Sequence, residues 1–332
     1  MHKHTYKPQL LSIEDGYIAD KYYDEYSGMT QSISNWEHQC TYKLSNDGLS
    51  GHHRVLHLHN MQIAYAKRTG GAMHNSVSAK ECITIAVVAS AKDKICFGDM
   101  KLKIGDILFF DDEHPNIFIA NDTIEFIALT VKKKAVSKYI DKLTNALNKC
   151  ILDTDNELLN TLNEIWIYYN NPGYLKEYLK TEEKVLTIIL SLLEKQIPKH
   201  PKLTKGERIA LNIRDKVFQH MDGKISIKSL SKEYAVSEQT LQNSFKSLFG
   251  FTPQYFLRIL KLNIIYHELR TNTSSKILVS KIAYKWGFTH MGRLSSYYKE
   301  LFGENPSQTL HRAQNKDEFS TASCVARQEE IN

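Results

Sequence analysis

The feature that most restricts how this chain can fold is a duplication. Two stretches of its C-terminal third share one layout: SIKSLSKEYAVSEQTLQNSFKSLFGFTP over 226–253 and ILVSKIAYKWGFTHMGRLSSYYKELFGENP over 277–306. Each reads as a short apolar helix, a tight turn, a longer helix ending in Leu-Phe-Gly, and a polar pair with Pro. Aligned on that ending, Leu241 matches Leu294, Phe245 matches Tyr298 and Lys246 matches Lys299. Leu230 matches Ile282 and Ala235 matches Gly287, with a one-residue shift in the loop between. A helix-turn-helix needs an apolar residue in each helix to lock the crossing, and a small residue at the turn so that the backbones approach. The predicted packing residues are therefore Leu230, Ala235, Leu241 and Phe245 in the first unit. In the second they are Ile282, Gly287, Phe288, Leu294 and Tyr298, with Trp286 beside them.

Ser237 stands where its hydroxyl can cap the longer helix of the first unit. That helix has an apolar face (Leu241, Phe245, Leu248) and a polar face (Glu238, Gln239, Gln242, Asn243, Lys246) suited to a major groove. A plain bundle with solvated polar faces would explain one copy; two copies in register favour the DNA reading. Charge points the same way. From Lys199 to Arg312 there are 19 basic and 8 acidic residues, a net +11, against −5 for the remainder of the 332-residue chain. A basic module on an acidic body suggests a nucleic-acid-binding part joined to a part with another task.

These residues also carry a resemblance. IAYKWGF at 282–288 and HMGRLSSYYKELFGENPS at 290–307 resemble the second repeat of the AraC/XylS family of bacterial transcription regulators, and 207–312 as a whole looks like that family's DNA-binding domain. The first repeat is looser: Ala235 stands where the family usually has Gly, Asn243 where it often has Arg, and Leu260 and Tyr266 depart from it in the connecting helix. The resemblance implies base readers at Gln239, Gln242 and Asn243 in the first unit, and at His290, Met291, Arg293 and Ser296 in the second. Arg293 suits guanine, and Gln and Asn suit adenine. Lys228, Lys246, Lys281 and Lys299 read as phosphate contacts, which position without specifying. The second reading helix is expected to begin near Thr289.

Residues 36–131 read mostly as short strands. RVLHLH at 54–59 and MQIAYAKR at 61–68 alternate, ITIAVVAS at 83–90 is a β-branched run, and IFIA (117–120) and IEFIALTV (124–131) continue the series. Gly98-Asp99 reads as a hairpin turn and Gly105-Asp106 as a second bend. The pattern predicts a small barrel or sandwich. In the resembled subgroup, which includes the ethanolamine-utilisation regulators, a cupin-like sensor domain comes first. Its interior could hold a small effector or be filled by side chains.

Helical periodicity follows from Leu158 to Tyr169, and again from near Tyr174 to before Pro198. These helices could pair two chains or pack on their own barrel. The expected organisation is an α+β two-domain chain: a β-rich cupin-like domain over 1–135, a helical connector or dimerisation segment over 136–197 and a linker over 198–206. A double helix-turn-helix follows over 207–312, with a disordered tail over 313–332.

The five cysteines are scattered and odd in number, without a C-x-x-C pair, so neither a disulfide framework nor a thiolate zinc site is expected. There is no apolar run of membrane-spanning length and no secretory layout at the N-terminus, so a cytoplasmic protein is expected. His52, His53, His57 and His59 cluster, and His57 and His59 would share one face of a strand. No carboxylate has the spacing of a metal site, and no metal or other cofactor is expected. No nucleophile–base pair, P-loop or dinucleotide fingerprint occurs, which argues against an enzyme. The implied partners are double-stranded DNA, RNA polymerase, a possible small-molecule effector and a second copy of the chain. A metal-dependent cupin enzyme and an RNA-binding protein are the competing readings.

Overall fold

The computed structural model describes residues 10–23, 42–45, 48–153, 155–171, 177–196, 198, 202–219, 225–272 and 277–315. The chain divides into two compact units: Met1–Thr41 with Asp47–Leu203, and Tyr42–Asn46 with Thr204–Asn332.

The first unit is β-rich. Its larger sheet is built from β1 (Ile18–Tyr23), β3 (Ser50–His57), β4 (Met61–Thr69), β11 (Ile124–Lys132), β6 (Cys82–Ala91), β9 (Asp106–Asp111) and β12 (Cys150–Leu152), in that spatial order. A second sheet runs β5 (Ala72–Ser76), β10 (Asn116–Ala120), β7 (Ile95–Phe97) and β8 (Met100–Leu102). The pairs within these sheets are antiparallel. Gly98, at φ 55°, makes the turn between β7 and β8, and Gly105, at φ 85°, the bend before β9, as expected. The run at 54–59 starts earlier and stops earlier than its alternation suggested, because the strand closes at His57. His59 therefore lies beyond the strand and does not share its face with His57.

Alternation along β4 gives the large sheet two different faces. Met61 and Ile63, with Ile83, Ile85, Ile127 and Leu129, face a core shared with α1 (Ile140–Asn145), α2 (Glu157–Asn170) and α3 (Tyr178–Lys195). Leu158, Leu162, Ile165, Val185, Ile189 and Leu192 are buried in that core. Each such side chain contributes roughly 1.5–3 kcal/mol on removal from water. The apolar stripes of 156–197 thus pack on their own sheet, and the expected connector of 136–197 is no separate unit. Asn60 fixes the join, giving its backbone N–H and, at 3.2 Å, its carboxamide to the buried Glu182 of α3. The other face of the large sheet, with Val55, Ala64, Ala86, Val88 and Ala128, meets Ile95, Phe97, Met100 and Phe118 of the second sheet. The helix expected from Tyr174 starts at Tyr178; Tyr174 and Leu175 lie outside the described residues.

The second unit is helical: α4 (Lys205–Gln219), α5 (Ile227–Glu233), α6 (Glu238–Phe249), α7 (Pro253–Arg270), α8 (Val279–Lys285), α9 (Met291–Phe302) and a closing helix over 306–315. The expected linker is shorter than 198–206, because α4 begins at Lys205. Thr204 and Glu207 explain this. The Glu207 N–H donates to the Thr204 hydroxyl at 3.2 Å, and the Thr204 N–H donates to the Glu207 carboxylate at 2.9 Å, a reciprocal capping box. Glu207 is buried and its other oxygen accepts from Ser247 on α6 at 2.7 Å. Gly206 is where α4 touches α6: a Cβ there would stand 2.3 Å from the Ser244 hydroxyl. The tail expected from 313 starts later, since 313–315 complete the closing helix and Ala313 is buried; 316–332 lie outside the described residues.

One short stretch joins this unit from far back in the chain. Lys43, in β2 (Tyr42–Lys43), gives its backbone N–H to the Asn263 carboxamide at 2.8 Å and accepts from it at 2.9 Å. The Tyr255 hydroxyl donates to the Leu44 carbonyl at 2.6 Å, and Tyr42 meets Phe218 edge-on.

Candidate nucleic-acid interface

The duplication in sequence is a duplication in structure. α5 and α8 each have seven residues, and α6 and α9 each have twelve. Both longer helices end on a left-handed glycine, Gly250 at φ 84° and Gly303 at φ 77°. Glycine takes that conformation without the clash a Cβ would bring. The cap of α6 is Ser237, whose hydroxyl accepts from the Thr240 N–H at 3.0 Å, as expected. The cap of α9 is His290, with no side-chain cap bond. The turn before α9 is one residue longer than that before α6, which places the helix start at Met291 rather than near Thr289.

Most predicted packing residues are buried: Leu230, Leu241 and Phe245 in the first unit, Ile282, Leu294 and Tyr298 in the second. Two expectations need correction. Ala235 and Gly287 are exposed and pack against no core. Their backbones are left-handed, φ 51° and 81°, so the turn is set by a backbone dihedral that glycine takes freely and alanine at a cost, rather than by a close helix approach. Phe288 is half-buried, not core, and so is Trp286, whose indole N–H donates to Glu268 on α7 at 3.1 Å. Tyr298 anchors the second unit. Its hydroxyl donates to Thr309 at 2.8 Å, and burial raises its pKa.

The predicted readers sit on the outward side of the longer helices. Gln239 and Asn243 are exposed and bonded to each other, Nε2 to Oδ1, at 3.0 Å; Gln242 is half-buried. Arg293 and Ser296 are exposed on α9, Met291 is half-buried at its first turn, and His290 precedes the helix. Lys228, Lys246, Lys281 and Lys299 are all exposed. The unit thus presents two equal helices, each with a polar outer face and lysines around it.

Residues 230–312 match the Helix-turn-helix domain family. The chain carries an AraC/XylS-type helix-turn-helix domain. This domain has relatives among operon regulators. The chain is 30% identical over 96 residues to the "Probable thc operon regulatory protein" of Rhodococcus erythropolis, 29% of each chain. It is 28% identical over 129 residues to the "XylDLEGF operon transcriptional activator" of Pseudomonas putida, 39% of each chain. The matched parts therefore span only 29% and 39% of these relatives' own lengths. Among solved structures, the AraC-like transcriptional activator CuxR aligns with 67% of this chain and 82% of its own. Identity there is 14% and the TM-score 0.40.

The clustered histidines take separate partners. His57 accepts from the Glu14 N–H at 3.1 Å and meets Gln62 at 3.0 Å, His52 pairs with Asp20, and His59 with Asp15. Among the described residues, one grouping has metal-ligand spacing, Asp111, Asp112 and Glu113, and Lys133 pairs with all three. No helix among the described residues is long and apolar enough to cross a membrane.

Sequence reasoning missed two features. The Thr204-x-x-Glu207 signature was readable as a capping box. The docking of 42–45 on α7 had no periodic signal, because it runs through backbone groups.

Proposed function

We propose that this protein is a cytoplasmic, sequence-specific transcriptional regulator, an activator in the manner of the named XylDLEGF relative. The observation that carries the reading is the pair of equal helices, each ended by a left-handed glycine and exposing a polar face, in a domain of the AraC/XylS type. In this reading α6 and α9 enter successive major-groove faces of double-stranded DNA. Gln239, Gln242 and Asn243 read bases from α6, and His290, Met291, Arg293 and Ser296 from the start of α9. Lys228, Lys246, Lys281 and Lys299 neutralise phosphates. The β-rich unit senses a small molecule, the active form is a homodimer, and RNA polymerase is the downstream partner. The exposed Ile167 and Leu179 on α2 and α3 support a dimer, since the remaining apolar stripe of those helices is already covered.

The test is selection from a random duplex pool with the full chain, followed by anisotropy titrations at two salt concentrations. The full chain is required because residues 42–46 are part of the DNA-binding unit. Enrichment of a motif with two elements about one helical turn apart, bound far more tightly than scrambled DNA, is the expected result. Weak binding that vanishes with salt and enriches nothing would reduce the basic unit to a polyanion-binding surface.

A further inference from the structure

The two reading helices differ at one pair of positions. Gln239 is the second residue of α6, and Asn243 lies one turn on, where a helix brings two side chains together on one face. Both are exposed, and Gln239 Nε2 donates to Asn243 Oδ1 at 3.0 Å. The corresponding positions of α9 hold Gly292 and Ser296, which cannot form such a pair. The backbone beneath the pair is fixed. Ser237 caps the first turn through the Thr240 N–H, and Leu241 and Phe245 are buried on the other side of the helix. Gly206 of α4 stands against the buried Ser244. The two amides therefore ride on a helix that cannot roll without breaking its core.

The bond sorts the donors and acceptors of the two amides. A glutamine amide has one acceptor oxygen and two N–H donors. With one N–H given to Asn243, Gln239 keeps Oε1 and the second N–H. Those are the acceptor and the donor that match the N6 amino group and N7 of adenine in the major groove. The bond also fixes which way the amide faces. Turned over, Oε1 would oppose Asn243 Oδ1, acceptor against acceptor. Asn243 has its oxygen committed to Gln239, and it stands one turn further from the helix start, whose residues approach base edges first.

We propose that Gln239 is the adenine reader of the first unit and that Asn243 is a positioning residue, which acts through Gln239 by holding its amide in the adenine-reading sense. The proposal rests on the DNA-reading role put forward above and refines it in one respect: the two residues answer to one base pair, not to two. A free glutamine side chain samples many rotamers, and ordering it before DNA arrives removes part of the entropy cost of the contact. The second unit, with Gly292 and Ser296 in these places, has no counterpart of this device.

The test is selection from a random duplex pool with the full chain, run for the parent, Gln239→Ala, Asn243→Ala, Asn243→Asp and the double substitution of both residues to Ala. Anisotropy titrations follow on the parent's selected duplex and on its single-base variants. The parent should prefer adenine at one position by about tenfold or more. Gln239→Ala should abolish that preference. Asn243→Ala should weaken it at the same position by about threefold or more and leave every other position as in the parent. The double substitution should behave as Gln239→Ala alone. Asn243→Asp should keep the adenine preference, because a carboxylate accepts from Gln239 in the same sense, while binding every duplex more weakly. Different positions relaxed by the two alanine variants, additive effects in the double substitution, or an adenine preference lost in Asn243→Asp would each overturn the proposal. So would an Asn243→Ala loss spread equally over all bases, which is what a merely structural role predicts. A parent that selects no motif would instead overturn the regulator reading, and this inference with it.

Discussion

The carboxamide of Asn263 holds both backbone polar groups of Lys43, a residue 220 positions earlier in the chain, at 2.8 and 2.9 Å. Asn263 is buried and also donates to the Ile259 carbonyl one turn back, so both its donors and its acceptor are engaged. This is the geometry with which one strand reads another, supplied here by a side chain of a connecting helix. Asn263→Leu should leave the Lys43 N–H and C=O without these partners and destabilise the helical unit by about 2–3 kcal/mol. Urea unfolding followed by helical circular dichroism measures this. A fragment starting at residue 199 lacks the same bonds and should unfold at lower urea than the helical transition of the full chain.

The turns of the two repeats make opposite predictions. Ala235 holds φ 51° with a side chain, whereas Gly287 holds φ 81° without one. A left-handed backbone costs an ordinary residue roughly 1 kcal/mol that glycine does not incur. Ala235→Gly should therefore stabilise and Gly287→Ala destabilise, each by about 1 kcal/mol or less. Equal effects of one sign in thermal unfolding would refute the dihedral explanation.

How much of this was legible in sequence divides along physical lines. Leu241, Phe245, Leu294 and Tyr298 could be assigned because helical burial repeats every three to four residues and the two copies check each other. The strands from Ile83 to Val131 could be assigned because β-branched runs and Gly-Asp turns are local signals. Ala235 invites a packing reading because it is small, whereas its left-handed dihedral is a backbone property that an alanine does not signal. The partners of Lys43 are backbone atoms, which no side-chain pattern encodes. Arg68 closes MQIAYAKR like an ordinary strand-end charge, yet it is buried, and only the register beside Gly51 and Ile124 shows that it points inward.

Acid should weaken the β-rich unit through His53. Burial, with smaller contributions from the neighbouring His52 and Arg68, pushes its imidazole down to about 4. In the unfolded chain it returns to about 6.5, so between these values the unfolded state binds the extra proton. Stability is complete above about pH 6.5 and falls as the pH drops toward about 4, by roughly 3 kcal/mol in all. His53→Gln should flatten this part of the stability curve, measured by urea unfolding between about pH 7.5 and about pH 4. An unchanged slope in the variant would assign the acid sensitivity elsewhere.

Specificity and affinity should separate on α9. Arg293 and Lys299 are both exposed cations on that helix, Arg293 in its first turn and Lys299 in its last. The first turn of a reading helix approaches base edges, and a guanidinium there can take both acceptors of a guanine. The far end meets the phosphate chain, where one charge displaces one condensed counterion whatever the sequence. Arg293→Ala should cost roughly 1–3 kcal/mol on the selected duplex, little on scrambled DNA, and relax the preference at one base pair. Lys299→Ala should weaken both duplexes alike and lower the slope of log affinity against log salt by about one. Anisotropy titrations of both variants on both duplexes, across a salt series, distinguish the roles. A selected motif unchanged by Arg293→Ala would remove that residue from the readers, and a Lys299→Ala effect confined to the selected duplex would move Lys299 among them.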